Sequence, residues 1–227
     1  MKFLPTLCQA FDDLLGGGIE NGLLTQIYGV AGSGKTSIAL QCALNCVSKG
    51  LKVVFIDADS SFPRKRFLQI SRRFESLDLN KFLLLSPRSF PEQSDIIDSI
   101  ELLIREGVGL IVFDSVASLY RYAISLDRDE NVCFSMELCR QMAMLLHVAE
   151  RDNVAVVILN QVREVPLAGS RTASLPVASQ VVVPWCKVSL RLERLGESGR
   201  RRVIVEKHHS FPAGRSAEFS PDELGAS

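Results

Sequence analysis

Gly29-Val30-Ala31-Gly32-Ser33-Gly34-Lys35-Thr36 is the stretch that decides the fold. It fits G-x-x-x-x-G-K-[ST], follows a strand-like run at Leu24–Tyr28 and opens a helical stretch over 35–49, the context this motif requires. The glycines let successive backbone N–H groups wrap phosphates, and the start of the helix adds a dipole that favours anions. Lys35 would reach the β and γ phosphates of ATP, and the Thr36 hydroxyl would ligate Mg²⁺.

Outward from this loop, short apolar runs alternate with helical stretches. The expected strands are Leu24–Tyr28, Lys52–Asp57, Phe82–Leu85, Leu110–Asp114 and Val154–Asn160. Crossover helices are expected over 35–49, 63–76, 91–106 and 130–152. Four of the strands are almost continuously apolar, as a parallel sheet covered on both faces demands. Residues 38–47 are apolar on nearly every side, which makes that helix central, and Gly50 stops it. Pro91-Glu92 suits a first helical turn ending by Gly107, and Leu138, Met142, Leu145 and Ala149 mark one core stripe of the last helix. Val188–Glu193 and Arg201–Glu206 instead alternate with period two around Gly196 and Gly199, a hairpin with one exposed face. The pattern implies an α/β fold, a mostly parallel sheet flanked by helices and closed by antiparallel strands at its C-terminal edge.

The chain has 227 residues, 47% apolar and 23% charged, enough for one domain spanning 1–227 and inconsistent with a disordered chain. Its longest apolar run, Val154–Leu159, is far too short to span a membrane. Pro5, Gln9 and Asp12-Asp13 interrupt any secretory signal, so a cytoplasmic protein is expected. The six cysteines (8, 42, 46, 133, 139 and 186) form no Cys-x-x-Cys and read as small buried residues in a reducing compartment. His147 and His208-His209 lack a third ligand at metal spacing.

Three further segments carry chemistry. Leu110–Asp114 is an apolar strand ending in a carboxylate, which beside a phosphate loop would hold magnesium through water. Asp57 and Asp59 leave the second strand, and either could orient an attacking water. Asn160-Gln161 ends the fifth strand on the same sheet edge, where an amide can sense the γ-phosphate and pass the signal to the next loop. Net charge is zero, with 26 Lys and Arg against 26 Asp and Glu. Yet ten Lys and Arg stand against four acids between Asn160 and Arg215, which suits a phosphate-contacting face. Arg200–Arg202 alone reads as a solvated hairpin tip, and Leu167–Ser174 as a small, polar, flexible loop.

The order of these motifs resembles the RecA-like recombinases, and within them the archaeal RadB group. Leu14-Leu-Gly-Gly-Gly-Ile-Glu-Asn-Gly22 resembles the entry to their ATPase core, Asp114-Ser-Val-Ala-Ser-Leu-Tyr-Arg121 the segment leading into their first DNA-binding loop, and Val154-Ala-Val-Val-Ile-Leu-Asn-Gln-Val162 the strand before the second. The likeness runs from about residue 10 to about 219. It implies a RecA-like P-loop NTPase core in which Asp59 takes the place of a water-activating glutamate and Gln161 that of the γ-phosphate sensor. It places Arg121 and Arg128 in the first DNA loop, Arg163, Arg171 and Thr172 in the second, and makes Lys207 a residue that could reach a neighbouring subunit's ATP. The implied partners are single-stranded or branched DNA, the main recombinase RadA, a Holliday-junction resolvase and further copies of the chain.

Two departures temper the implied activity. No N-terminal helical DNA-binding domain precedes residue 10, which argues for a core-only paralogue without strand exchange. Asp59 is one methylene shorter than glutamate, and misplacing a water by about 1 Å can cost on the order of a hundredfold in rate. The expected protein is an ATP-binding, DNA-binding accessory of DNA repair and recombination with weak hydrolysis. The alternatives are a KaiC-like signalling ATPase and a small-molecule kinase, the latter without identifiable lid arginines.

Overall fold

The computed structural model describes residues 2–104, 107–167, 171–196, 199–222 and 224–226, with backbone alone at 164–167 and 171–173. Strands β1 (Phe3–Leu4) and β2 (Ile19–Glu20) pair antiparallel around helix α1 (Gln9–Leu15). The main alternation follows: β3 (Leu24–Gly29), α2 (Lys35–Ser48), β4 (Lys52–Asp57), α3 (Arg64–Ser71), β5 (Phe82–Leu85), α4 (Phe90–Asp98), α5 (Ile100–Ile104) and β6 (Val108–Asp114). Next come α6 (Ser118–Ala123), α7 (Arg128–Asp152), β7 (Ala155–Leu167), β8 (Arg171–Pro176) and α8 (Ser179–Val182). Strands β9 (Val188–Arg194), β10 (Arg201–Lys207), β11 (Ser216–Phe219), β12 (Pro221–Asp222) and β13 (Gly225–Ala226) complete the chain.

In space the large sheet runs β11-β10-β9-β3-β7-β6-β4-β5, with β8 paired to β7. Every neighbour pair from β9 through β5 is parallel, whereas β9, β10 and β11 pair antiparallel. This is the architecture expected from the sequence. Strand alternation sends Val53 and Phe55 to one face, with α1 and α2, and Val54 and Ile56 to the other, with α4 through α7. Residues 38–47 of α2 are all buried, as its all-round apolarity requires. Burying two large apolar faces supplies the main driving force of the fold.

Local chemistry shifts several expected boundaries. The 91–106 helix breaks at Ser99 into α4 and α5, and Ser89 caps its start by accepting from the Glu92 N–H at 3.2 Å. The 63–76 helix ends at Ser71, and Phe67 goes into a ring cluster with Phe62, Phe55 and Phe82. Leu167–Ser174, expected as a free loop, instead contributes to an antiparallel β7–β8 ladder from Val162↔Pro176 to Leu167↔Arg171, while 168–170 lie outside the described residues. Edge strand β5 is not fully covered, since Leu83 and Leu84 are exposed. Cys8, Cys42, Cys46 and Cys186 are buried, but Cys133 is exposed on α7 and Cys139 only half-buried.

The C-terminal tail carries no motif, yet it is tightly held. Gln41 donates to the Ala226 carbonyl at 3.2 Å and accepts from its N–H at 2.8 Å. Arg66 donates to Ser37 Oγ at 3.2 Å and to the carbonyls of Asp222 and Gly225 at 2.7 and 2.6 Å. The tail is thereby fastened beside the first turn of α2. Among described residues no helix is long and apolar enough to cross a membrane.

Gly18 is fixed both by its backbone and by its neighbour. Its φ is +123°, and a Cβ there would stand 2.3 Å from the Leu4 carbonyl oxygen. Gly18→Ala is expected to lower the unfolding free energy by about 2 kcal/mol or more, read from urea melts. An unchanged midpoint would contradict this packing of β1 on the glycine turn.

Candidate functional site

Register brings the site together. Across parallel strands Gly29 lies opposite Gln161, Tyr28 opposite Asn160, and Asp57 opposite Asp114. These residues of β3, β7, β6 and β4, four neighbours in the sheet, therefore gather toward one edge, with Asp114 about two residues short of the Gly29–Gln161 level because Phe113 pairs with Ile158; open α/β sheets bind ligands at that edge.

The 29–36 loop leaves β3 against the β9 backbone. A Cβ on Gly29 would meet the Leu192 carbonyl oxygen at 2.4 Å, so only glycine fits. Gly34, at φ +102°, begins α2 without a side-chain cap, which leaves the first-turn N–H groups for an anion. The Ser33 hydroxyl is buried and has no hydrogen-bond partner among the described residues. Lys35 is buried and donates to the Gly29 and Val30 carbonyls at 2.8 and 2.9 Å. Burial pulls its pKa down, while Asp114 and Asp59 push it back up.

Thr36 Oγ1 donates to Asp114 Oδ2 at 2.8 Å, joining α2 to the end of β6. Burial pushes Asp114 up to about 6; the Thr36 bond opposes this, Asp59 and Asp57 add to it, and Lys35 draws it down. The structure also separates the two aspartates that follow β4. Asp57 is buried and accepts from the N–H groups of Ser61 and Phe62 at 3.1 and 2.9 Å, the work of a turn-forming residue. Asp59 faces the sheet edge and accepts from Gln161 Nε2 at 3.2 Å.

Asn160 and Gln161, taken together as sensor candidates, have different jobs. Asn160 is fully buried and donates to the Val177 carbonyl at 2.7 Å, which pins the end of the β7–β8 hairpin. Gln161 is exposed and reaches Asp59. Of the other candidates, Arg121 and Arg128 are exposed on α6 and at the start of α7, and Arg163 is exposed on β7. Arg171 and Thr172 lie on β8, with their side chains outside the described residues. Lys207 is exposed and donates to the Val183 carbonyl at 3.4 Å.

A cleft of about 370 Å³ opens beside the loop, between Gly32, Lys35 and Thr36 on one side and Arg66, Arg201 and Pro221 on the other. Those last three come from α3, β10 and the tail, elements that only the fold brings together, so no local pattern points to them. The expected basic face is partly neutralised from within. Arg191 pairs with Glu193 and Glu206, and Arg200 and Arg202 pair with Glu218 at 3.1 and 2.9 Å.

A phosphate loop on the central strand, facing polar side chains from the three strands beside it, is the arrangement of a RecA-like P-loop core. Comparison with known families matches residues 2–214 to Rad51, and the chain belongs to that family. It is 37% identical over 218 residues to the DNA repair and recombination protein RadB of Methanococcoides burtonii, covering 96% of this chain and 94% of that protein. It is 36% identical to the protein of the same name from Thermococcus kodakarensis, covering 98% and 97%. A solved structure described as "Crystal structure of the RadB recombinase" superposes with a TM-score of 0.81 at 33% identity, over 99% of this chain and 98% of that one.

Two measurements follow from the geometry. Asn160→Ala strands the buried Val177 carbonyl and should cost about 1–3 kcal/mol, whereas Gln161→Ala should change stability by less than about 0.5 kcal/mol. Equal losses in denaturant melts would contradict the division of labour. Asp114 also gives a pH signature. Its folded value of about 6 stands above the ordinary 3.8, so the native protein keeps a proton that the unfolded chain has lost. Its contribution to stability therefore declines as pH rises from about 4 to about 6 and is level above that. Relative to Asp114→Asn, the protein should lose melting temperature across this window; parallel pH profiles would refute the assignment.

Proposed function

We propose that this chain is an ATP-binding, DNA-binding accessory of DNA repair and homologous recombination, with weak hydrolysis and no strand exchange of its own. The observation that carries the reading is the Gln161–Asp59 hydrogen bond. It ties the edge that would receive the γ-phosphate to β7, the strand that runs on through Arg163 into the β7–β8 hairpin.

The residues present fit ATP and Mg²⁺. An orphaned Ser33 hydroxyl, an uncapped helix start and a buried lysine form a donor set for phosphate oxygens. Thr36 and Asp114, already 2.8 Å apart, would hold the metal. ATP, when bound, supplies a transferable γ-phosphoryl group. Lys35 would exchange its loop carbonyls for phosphate oxygens, and Gly29, Val30, Ala31, Gly32 and Gly34 would supply the backbone of the cradle. Asp59 would accept the proton of an attacking water, with Gln161 holding its carboxylate in place. The short aspartate arm supports slow turnover.

Arg121, Arg128, Arg163, Arg171 and Thr172 are the proposed DNA contacts, and Lys207 the residue offered to ATP on a neighbouring copy. RadA and a Holliday-junction resolvase are the proposed protein partners. The names of the relatives, which are repair and recombination proteins, support the DNA reading over a signalling ATPase.

Calorimetry should find ATP binding in the presence of Mg²⁺, reduced at least about a hundredfold by Lys35→Ala, and turnover far below the enzyme median of about 10 s⁻¹. Arg163→Ala with Arg171→Ala should weaken single-stranded DNA binding and flatten its log–log salt slope by about 1.4. An unaltered slope would remove the β7–β8 hairpin from the interface. Nucleotide binding without any DNA binding would favour the signalling alternative.

A further inference from the structure

A second concentration of positive charge lies away from the β9–β11 face. Between Ser60 and Phe74 the chain carries Arg64, Lys65, Arg66, Arg72 and Arg73 and no acid. Arg64 through Ser71 form α3, Arg72 at φ −64° and ψ −14° is its helical C-terminal cap, and Arg73 follows it. Arg66 turns inward, held by Ser37 and the tail carbonyls. Arg64, Lys65, Arg72 and Arg73 are exposed, and among the described residues none of them forms an ion pair. On the β9–β11 face, by contrast, Glu193 and Glu206 pair with Arg191, and Glu218 pairs with both Arg200 and Arg202.

Helical spacing organises this charge. Arg64, Leu68 and Arg72 recur every fourth residue, and Lys65 joins them from the next row. Phe67 and Ile70 point the other way, into the core on the α2 side of the sheet. From Arg64 to Arg72 the helix rises about 12 Å, the length of about three successive phosphates on one strand of a duplex. No aromatic ring is exposed on this helix, because Phe67 is packed 5.0 Å from Phe82 and 5.5 Å from Phe62. Single-strand binders rely on exposed rings for stacking. A row of cations without rings suits a rigid double-stranded backbone gripped through its phosphates alone.

Position sets this helix apart from the proposed loop contacts. α3 packs in the core cluster that contains α2, whereas Leu119 and Tyr120 of α6, beside Arg121, lie in the cluster on the opposite face of the sheet. We propose that α3 is a second polynucleotide-binding surface, specific for duplex DNA through Arg64, Lys65 and Arg72. The inference rests on the DNA-binding reading above but uses none of its residues. With strands held at the sheet edge and a duplex on α3, one molecule could engage both arms of a single-strand/duplex junction.

The test is a triple variant, Arg64→Gln with Lys65→Gln and Arg72→Gln, titrated over a salt series with a blunt 30-base-pair duplex and a single strand of equal length. The three side chains are exposed and lie outside the cleft, so the thermal melt and ATP binding serve as controls for folding. Duplex affinity should fall at least about tenfold at low salt, with the log–log slope flatter by about 2.7. Single-strand affinity should stay within about twofold of the unaltered protein. Restoring charge with Arg64→Lys and Arg72→Lys should recover the slope. An unchanged duplex slope in the triple variant overturns the proposal. So does failure of the unaltered protein to bind duplex while it still binds single strands, which would leave the loop reading standing; binding to neither would remove both. Polyglutamate and phosphatidylserine vesicles complete the series, and a loss of binding to either that matches the loss for duplex would reassign the helix to another anionic partner.

Discussion

Everything in the site depends on the register of four parallel strands. Gly29 opposite Gln161, Phe113 opposite Ile158 and Asp57 opposite Asp114 bring the polar residues of β3, β7, β6 and β4 to one edge of the sheet. A slip of one residue in any pair would turn its side chains to the wrong face and move its last polar group about 3.3 Å along the sheet. The buried alternation on both faces forbids that slip, because Val156 and Ile158 would exchange clusters with Val157 and Leu159. Core packing is therefore what positions the chemistry.

Within that frame two hydrogen bonds link neighbouring elements of the site. Thr36 to Asp114 joins the first turn of α2 to β6, and Gln161 to Asp59 joins β7 to the turn after β4. The second is the more exposed and the easier to exchange. Asn160, one residue earlier and facing the other way, holds the hairpin root through Val177. Adjacent amides thus divide into a buried anchor and an exposed contact.

Much of this was legible in the residues themselves. The glycine spacing of the loop, the apolar runs and the carboxylate at Asp114 are local patterns, and local patterns survive folding. Asp57 and Asp59 could not be told apart from sequence, because their difference lies in which backbone N–H groups turn toward Asp57. The charge count between Asn160 and Arg215 left out one neutralising acid for a similar reason: Glu218 lies beyond that window but crosses to Arg200 and Arg202 once β11 pairs with β10. Arg66 and the tail were invisible because their partners are carbonyl oxygens, which every sequence possesses. The β7–β8 ladder was missed because small polar residues read as a loop until a facing strand supplies their hydrogen bonds.

Under the proposed function, nucleotide state at the sheet edge is felt by the proposed DNA-contacting segments through Gln161. Single-stranded DNA affinity measured with and without Mg²⁺ and ATP, in the unaltered protein and in Gln161→Ala, addresses it directly. A several-fold nucleotide effect in the first that vanishes in the second, with ATP affinity preserved in both, is the predicted result. Identical DNA affinity with and without nucleotide in the unaltered protein would contradict it.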